Sequence, residues 1–303
     1  MLNNSIVENK KMGNQPKANV LITGCSTGIG FAIAETMARN GYNVFATMRN
    51  PQKAPGLAQL AARENLPVTI LTMDVDDGKS VQTAVDEVLS RAGQIDVLVN
   101  NAGIAPIGSV EEMPFETFYA VTQTNYLGTL RCIQAVLPGM RQRQSGCIIN
   151  VTSVSGKIYS PCFGAYAASK AAVEALSESL AGEVGQFGIR VALVEPGVID
   201  TPLIDKFAGL PVSSVYPNHI RLKAYLSASA SHHVMPETVA DMVLTILSEG
   251  HTAFRNPVGA DAAPLLGYRA SLADEDWIAA GSVDEETWAA RMGRLGMDVR
   301  KHM

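Results

Sequence analysis

The residue pair best suited to acid–base chemistry is Tyr166 and Lys170, which lie four positions apart. On a helix, positions i and i+4 share a face, so the ammonium group of Lys170 can lie beside the phenol of Tyr166. A free phenol has a pKa of about 10, which is too high for efficient proton exchange near neutral pH. We expect the charge of Lys170 to favour the phenolate and to lower the pKa of Tyr166. Taken alone, Tyr166 could also be an ordinary buried aromatic residue.

A second candidate for chemistry is the glycine-containing loop at residues 24–30, between a predicted strand and a predicted helix. Glycine permits a tight turn and a close approach of backbone N–H groups to a pyrophosphate, and the N-terminus of a helix adds partial positive charge. The spacing is G-x-x-x-G-x-G and not the general dinucleotide pattern G-x-G-x-x-G. A structural turn would have the same composition, but the position between strand and helix favours nucleotide binding.

Seven short apolar runs, separated by longer amphipathic stretches, predict the elements that must position these residues. Continuous apolar runs are typical of strands that are buried on both faces, as in parallel sheets covered by helices. Helix-type spacing between the runs, as in Val81, Val85 and Val88, completes an alternating order of strands and helices. We predict an α/β fold with a single doubly wound parallel sheet and helices on both faces. The predicted strands are residues 20–23, 44–47, 68–73, 95–99, 147–151, 189–194 and 252–254.

No linker or internal repeat divides the 303 residues, so we expect one domain. Residues 1–18 are polar and are predicted to form a flexible arm, residues 19–259 the main domain, and residues 260–303 a helical C-terminal extension of that domain. The extension interleaves acidic residues with Trp277 and Trp288. We expect it to pack on the domain or on a partner subunit, and a lid over the site is the less favoured alternative.

Composition excludes several classes of protein. A net charge of −5 without a basic cluster argues against nucleic acid as a partner. The chain shows no secretory signal and no apolar run of about eighteen residues, so we predict no membrane span. Four scattered cysteines without C-x-x-C spacing suggest reduced thiols in a cytoplasmic protein. His232 and His233 have no third ligand at a readable spacing, and we therefore predict no metal site.

Several of these segments together resemble one known family. Residues 23–30 read T-G-x-x-x-G-I-G, residues 100–103 read N-N-A-G, and Tyr166 and Lys170 form Y-x-x-x-K. The chain resembles the short-chain dehydrogenase/reductase family over about residues 19–259. The pieces G-C-S-T-G-I-G and V-F-A-T-M-R-N resemble its 17β-hydroxysteroid and retinol dehydrogenase branch. The resemblance implies a Rossmann-like fold and hydride transfer between a nicotinamide cofactor and a secondary alcohol or its ketone.

The resemblance implies a role for each of four residues. Tyr166 would be the general acid/base at the substrate oxygen, and Lys170 would tune it and bind the nicotinamide ribose. Ser153, thirteen residues before Tyr166, would hold and polarise the carbonyl or alkoxide, and this spacing favours it over Ser155. Asn125 would position a water that connects Lys170 to solvent.

The same resemblance implies where the cofactor lies. Asp74 matches the aspartate that contacts adenine, Asn100 and its neighbours brace the sheet beside the adenine ribose, and residues 195–201 match a P-G segment that faces the nicotinamide carboxamide. The predicted cofactor-binding residues are Gly24, Ser26, Thr27, Gly28, Ile29, Gly30, Arg49, Asp74, Val75, Asn100, Ala102, Gly103, Tyr166, Lys170, Pro196, Gly197, Val198, Ile199 and Thr201.

The predicted second strand decides between NAD(H) and NADP(H). A fold selective for NAD usually carries a carboxylate at the end of this strand, where it binds the ribose 2′-hydroxyl. Here no Asp or Glu occurs between Thr36 and Arg63, and Arg49 follows the strand. A guanidinium fork, with Ser26 as a hydroxyl donor, suits a 2′-phosphate. We therefore predict NADP(H), with a solvated surface Arg49 as the alternative.

The substrate is expected beneath residues 203–235, whose moderate apolarity suggests a lipophilic alcohol or ketone. The residues expected to cover it are Phe207, Leu210, Val215, Tyr216 and Tyr225, with residues 160–163 as a further wall. A loop that packs on its own core would have the same composition, and the fold does not fix the pocket.

Two other functions are possible for a chain of this fold. A non-enzymatic regulator that senses NADP(H) would use the same fold, but such regulators typically lose the Tyr or the Lys. Epimerase or dehydratase chemistry on a nucleotide sugar needs a larger C-terminal domain. The predicted helices at residues 115–140 and 165–184 are rich in small or apolar residues, and the resemblance implies a homodimer or homotetramer. A monomeric mass by light scattering would contradict that assembly.

Overall fold

The computed structural model describes residues 17–202, 214–230, 234–248 and 253–303. Within them, seven strands form one parallel sheet in the order β3-β2-β1-β4-β5-β6-β7. The predicted α/β fold with a Rossmann-like, doubly wound sheet is confirmed. The strands are β1 (Asn19–Ile22), β2 (Asn43–Met48), β3 (Val68–Thr72), β4 (Val97–Asn100), β5 (Gly146–Val151), β6 (Ile189–Pro196) and β7 (Arg255–Val258).

Helices cover both faces of this sheet. They are α1 (Gly28–Arg39), α2 (Gly56–Glu64), α3 (Gly78–Ala92), α4 (Phe115–Val121), α5 (Gly128–Arg143), α6 (Gly164–Val184), α7 (Asn218–Ala230), α8 (Pro236–Ser248), α9 (Ala262–Ala270), α10 (Asp274–Gly281) and α11 (Glu285–Arg294). Along β1, Val20 and Ile22 face a core closed by α1, α2 and α8, whereas Leu21 faces a core closed by α3, α5 and α6. Burial on both faces is the reason for the continuous apolar runs in the sequence.

The seventh strand differs from its prediction at residues 252–254. The structure places β7 at Arg255–Val258, where Arg255 pairs with Leu193 of β6, and residues 249–252 lie outside the described ranges. The strand lies at the edge of the sheet, with Pro257 exposed and Asn256 buried. An edge strand tolerates a proline and is buried on alternate residues only, so it lacks the apolar run that marks the central strands.

The C-terminal extension packs on the same domain. Ala262 and Leu265 of α9 and Ala289 of α11 share an apolar cluster with Val154 and Ile158, which follow β5. The predicted C-terminal helices are therefore present, and they lie beside the carboxyl end of the sheet. Most of the predicted N-terminal arm, residues 1–16, lies outside the described part of the chain. In the described ranges no helix has the length and apolar character needed to cross a bilayer.

Candidate active site

One cavity of about 870 Å³ runs along the carboxyl ends of the strands. It begins at the glycine loop after β1, passes the ends of β4, β5 and β6, and ends against α7, α10 and α11. Ligands of doubly wound sheets bind at this edge, and ligand sites commonly have volumes of about 300–1,000 Å³. Every predicted site residue lines the cavity except Asn100 and Asn125.

The glycine loop is closed to larger side chains at two positions. A Cβ on Gly30 would lie 2.4 Å from Nδ2 of Asn101 and 2.4 Å from the carbonyl oxygen of Gly24. A Cβ on Gly24 would lie 2.8 Å from Cα of Ala102, and Gly24 has a φ of +74° in the left-handed region. The loop is therefore pressed against the segment after β4, and only glycine allows this approach.

The N-terminus of α1 is suited to an anion. The helix begins at Gly28, its N-cap residue Thr27 makes no side-chain capping bond, and its first turn contains no acidic residue. The first N–H groups of a helix lack partners within the helix and attract phosphate oxygens. Thr201 lies against Gly28, where a Cβ would approach its Cγ2 to 3.2 Å. These donors fit the pyrophosphate of a dinucleotide.

The opposite end of the nucleotide region carries Arg49 after β2 and two carboxylates after β3. Arg49 is exposed at the cavity, and Asp74 accepts a hydrogen bond from the backbone N–H of Asp76 at 3.1 Å. Thr124 donates to Asp76 at 3.0 Å. Asp76 was not predicted as a site residue, although its place two residues after Asp74 was a signal for it.

Asn100 lies inside the sheet and does not reach the cavity. Its Nδ2 donates to Oδ1 of Asn150 at 2.8 Å, and Asn150 donates to Ser177 of α6 at 2.8 Å. The residue that lines the cavity is Asn101, whose side-chain amide donates to the carbonyl oxygen of Thr23 at 2.9 Å. Successive side chains of an extended chain point to opposite sides. Because the side chain of Asn100 points into the sheet, that of Asn101 points to the cavity.

Ser153, Tyr166 and Lys170 come together at one wall of the cavity. Ser153 lies two residues after the end of β5. Its hydroxyl accepts a hydrogen bond from the backbone N–H of Ser155 at 3.1 Å and so caps the short 3₁₀ turn Val154–Gly156. Tyr166 and Lys170 lie on successive turns of α6, with the lysine Nζ 5.7 Å from the centre of the tyrosine ring. Nζ also donates to the carbonyl oxygen of Val151 at 2.9 Å, which holds it beside β5.

The pKa of Tyr166 is shifted in the direction opposite to the expectation. Burial of the phenol raises its pKa to about 12, and a hydrogen bond with Ser153 lowers it only in part. Burial of Lys170 lowers the pKa of its ammonium group to about 8, against the charge of Glu174, which raises it. The expected lowering by the charge of Lys170 is outweighed by the removal of the phenol from water. At neutral pH the phenol therefore carries its proton.

Asn125 lies on a π-helical turn, Thr122–Leu127, which interrupts the helix predicted over residues 115–140. Its side chain accepts from the N–H of Ile104 at 2.9 Å and donates to the carbonyl oxygen of Ile104 at 2.9 Å. A Cβ on Gly103 would lie 3.3 Å from Oδ1 of Asn125 and 3.8 Å from Nζ of Lys170. Asn125 thus lies behind the cavity wall close to Lys170, on the kind of turn that often occurs at functional sites.

A buried cluster of charges lies close to the cavity wall formed by Ser153, Tyr166 and Lys170. Glu174 lies one turn after Lys170 on α6, and Glu195 is the first residue of the P-G segment. Both side chains are 2% exposed, and both bind Nη1 of Arg255, Glu174 at 2.5 Å and Glu195 at 3.0 Å. Lys157 lies 3.4 Å from Glu174. Burial and the neighbouring charge of Glu174 raise the pKa of Glu195. The cluster was not predicted, because its members come from separate elements.

The predicted cover of the substrate is only partly found at the cavity. Tyr225 lines the cavity, as do residues 160–163, whereas Phe207 and Leu210 lie outside the described residues. Val215 and Tyr216 are exposed and do not line it. Their segment is held at the surface instead, because Glu112 accepts from the backbone N–H of Val215 at 3.1 Å and Glu111 accepts from the hydroxyl of Tyr216.

The C-terminal extension supplies a wall of the cavity that the sequence analysis did not assign to the site. Its contribution includes Trp277 and Ile278 of α10 and Trp288, Arg291 and Met292 of α11. The signal available in the sequence was the pair of tryptophans in an otherwise acidic tail. Among the described residues, no group of three or more potential metal ligands occurs, and His232 and His233 lie outside them.

A family model for short chain dehydrogenases matches residues 18–208. That match covers more than half of the chain, and it includes the glycine loop, Ser153, Tyr166 and Lys170. The protein belongs to the short-chain dehydrogenase/reductase family, and it is an oxidoreductase that acts on alcohol or ketone substrates with a nicotinamide cofactor.

Relatives extend the likeness to the C-terminal part. The chain is 34% identical to retinol dehydrogenase 8 of Bos taurus over 275 residues, which are 86% of this chain and 86% of that protein. It is 36% identical to 17-beta-hydroxysteroid dehydrogenase type 1 of Mus musculus over 250 residues, 78% of this chain and 72% of that one. A solved short-chain dehydrogenase from Streptomyces avermitilis has a TM-score of 0.73 at 33% identity, with 88% of this chain and 99% of that chain covered.

Proposed function

We propose that this protein is an NADP(H)-dependent oxidoreductase that interconverts a lipophilic ketone and its secondary alcohol. The observation that carries the proposal is the convergence of Ser153, Tyr166 and Lys170 on one wall of a cavity that begins at the glycine loop. An acid, its hydrogen-bonded partner and a cation at one point form the arrangement needed to protonate a substrate oxygen.

The chemistry divides between the cofactor and the protein. The bound cofactor would supply the hydride that adds to the carbonyl carbon. The hydroxyl of Ser153 donates to the carbonyl oxygen and draws negative charge onto it, and Tyr166 then transfers its proton to that oxygen, which gives the alcohol. Lys170 stabilises the phenolate that forms, and a water beside Asn125 would return a proton. Oxidation follows the same steps in reverse.

The walls of the substrate end support a lipophilic substrate. Phe163 stacks on Tyr166 with ring centres 4.6 Å apart, and Leu222 and Leu226 of α7 lie in the same apolar cluster. Trp277 and Trp288 line the same cavity. Apolar walls with a few fixed polar groups are typical of sites that bind apolar small molecules. Two relatives named for retinol and for a hydroxysteroid support the same class.

Arg49 supports the choice of NADP(H). It lies at the cavity after β2, and the carboxylates that line the described part of the cavity, Asp74 and Asp76, follow β3 instead. A free carboxylate after β2 would favour NAD(H), and a guanidinium there favours a 2′-phosphate.

We expect Arg49→Ala to weaken NADPH binding about 10-fold to 100-fold and to leave NADH binding unchanged, because a charge-assisted hydrogen bond contributes about 1.5–3 kcal/mol. Fluorescence titration of both nucleotides measures this change. Arg91→Ala is the matched control, since Arg91 is an exposed arginine paired with Glu87 on α3, away from the cavity. Equal affinity of the wild type for NADPH and NADH would refute the NADP(H) assignment.

We also propose a cytoplasmic location and a homo-oligomer. All four cysteines are free and buried, which is in keeping with a reducing compartment. Val110, Phe115 and Tyr119, at and before α4, are 73%, 78% and 58% exposed, and large exposed apolar side chains of this kind often mark an interface.

A further inference from the structure

The substrate end of the cavity carries positive charge without a matching acid. Among the described lining residues, the cations are Arg49 at the nucleotide end, Lys170, and Arg221 of α7 and Arg291 of α11 at the substrate end, whereas the carboxylates are Asp74 and Asp76 at the nucleotide end. A guanidinium group without a partner at this end would be unexpected in a cavity that served only neutral apolar molecules, because desolvating a cation is costly.

The two arginines differ in how they are used. Arg221 is 8% exposed and donates to the carbonyl oxygen of Val283 at 2.7 Å and to that of Gly281 at 3.5 Å, so it ties α7 to the loop after α10. Its guanidinium also lies 5.9 Å from the ring centre of Trp288. Arg221 therefore has a structural role, although its charge remains at the cavity.

Arg291 is partly buried and has no such role. Within the described residues it makes no hydrogen bond and no ion pair, whereas Arg269 and Arg300 of the same extension pair with Asp274 and Glu286. It lies three positions after Trp288 on α11, a spacing that places both side chains on one face, and Trp288, Arg291 and Met292 all line the cavity. Trp288 and Met292 pack into the apolar cluster beside Val154, which follows Ser153.

We propose that Arg291 binds an anionic group of the substrate, separate from the reacting carbonyl, with the charge of Arg221 in support. The inference rests on the proposed reduction of a lipophilic ketone and narrows its substrate to an apolar oxo-acid, or the corresponding hydroxy-acid in the oxidative direction. A planar guanidinium matches a carboxylate in a bidentate arrangement, and the apolar walls accept the chain between the two polar ends. The carboxylate would also neutralise a cation that is partly withdrawn from water.

Binding can be measured apart from catalysis, because the chain has two tryptophans and both line the cavity. We would titrate the NADPH-bound protein with linear alkanoic acids of increasing length, which have no ketone, and with their methyl esters, and follow tryptophan fluorescence. We expect the wild type to bind the best acid about 10-fold to 100-fold more tightly than its ester, the range that corresponds to one charged hydrogen bond. In Arg291→Met, acid and ester should bind alike.

Arg294→Met is the matched control, because Arg294 lies on the same helix but is exposed and does not line the cavity. It should keep the preference for the acid. Equal binding of acid and ester by the wild type, or an unchanged preference in Arg291→Met, would overturn the inference.

Turnover of oxo-acids and of neutral ketones separates this inference from the proposed function. If Arg291 binds the carboxylate and the reaction proceeds, kcat/KM for an oxo-acid should exceed that for its ester in the wild type, mainly through KM, and Arg291→Met should abolish the difference. A carboxylate preference in the titration with no reduction of any ketone would refute the proposed function and leave the anion site standing.

Discussion

Tyr166→Phe should lower kcat for ketone reduction about 10³-fold and leave NADPH binding almost unchanged. General acid–base catalysis by one positioned side chain commonly contributes about 10²-fold to 10⁴-fold. The substitution removes a single hydroxyl group and keeps the ring, which stacks on Phe163 at 4.6 Å. The site should therefore keep its shape and lose only its proton donor.

The raised pKa of the Tyr166 phenol predicts how the two directions of the reaction depend on pH. With a pKa of about 12, Tyr166 remains protonated throughout the neutral range and can donate to the oxygen of a ketone. Oxidation of an alcohol needs the opposite form, the phenolate, which becomes more populated as the pH rises. We therefore expect reduction to be favoured near neutral pH and oxidation to gain as the pH is raised.

Tyr159→Phe is a matched control for this prediction. Tyr159 lines the same cavity and carries a phenol, but its hydroxyl donates to the carbonyl oxygen of Gly156 at 3.3 Å. Steady-state kinetics with NADPH and a ketone panel, together with nucleotide titration, should separate the two variants. A Tyr166→Phe variant that keeps a tenth or more of the wild-type kcat would show that another group protonates the substrate.

Arg255→Met should destabilise the protein by about 3–5 kcal/mol, because it removes the cation that two buried carboxylates share and leaves only Lys157, 3.4 Å from Glu174, beside them. Glu174 and Glu195 share Nη1 of Arg255, and both side chains are 2% exposed. The methionine can fill much of the space of the arginine, so the loss would come from the missing charge. Chemical denaturation near pH 8 measures the change in the free energy of unfolding.

The loss should depend on pH in a defined direction. Burial raises the pKa of Glu195 in the folded protein above its ordinary value of 4.5. At a pH between the ordinary and the raised pKa, the folded protein therefore binds more protons than the unfolded chain. The contribution of this group to stability is therefore present at low pH and is lost as the pH rises through the raised pKa. Arg255 lowers the pKa of Glu195, so without it this carboxylate should be harder to ionise, and the destabilisation should be smaller near pH 5.5 than near pH 8.

An exposed arginine provides the comparison. Arg39 contacts Glu35 at 2.7 Å and Glu64 at 2.5 Å, but its side chain is 44% exposed. Arg39→Met should cost at most about 1 kcal/mol, as is usual for ion pairs at the surface. If Arg255→Met costs no more than Arg39→Met, or if its cost does not grow with pH, Arg255 is not the counter-charge of the two buried carboxylates.

The cluster also lies where stability and the active site meet. Glu174 is one turn from Lys170, and Thr152, which precedes Ser153, has its hydroxyl 3.3 Å from Glu174. Glu195 leads directly into Pro196 and the P-G segment. The ion pairs of Arg255 with Glu174 and Glu195 therefore join β7 to α6, which carries Tyr166 and Lys170, and to β6, which leads into the P-G segment.

The sequence alone determined the parallel sheet, the glycine loop between β1 and α1, and the placing of Tyr166 and Lys170 on one helix. Each depends on local order in the chain: apolar runs mark strands buried on both faces, and the i, i+4 spacing of Tyr166 and Lys170 places both on one face of α6. The prediction from apolar runs was wrong for β7, which lies at the edge of the sheet and is only partly buried. This strand contains Arg255 and Pro257 and therefore has no continuous apolar run.

Only the tertiary structure decided the electrostatics of the site and the far wall of its cavity. The pKa of Tyr166 depends on how much water the fold removes from the phenol, and no spacing in the chain records that quantity. Likewise, Arg291 meets the cavity because α11 packs beside Val154, more than a hundred residues earlier in the chain. Local pattern fixes which residues share an element, whereas desolvation and the meeting of distant elements arise only when the chain is packed.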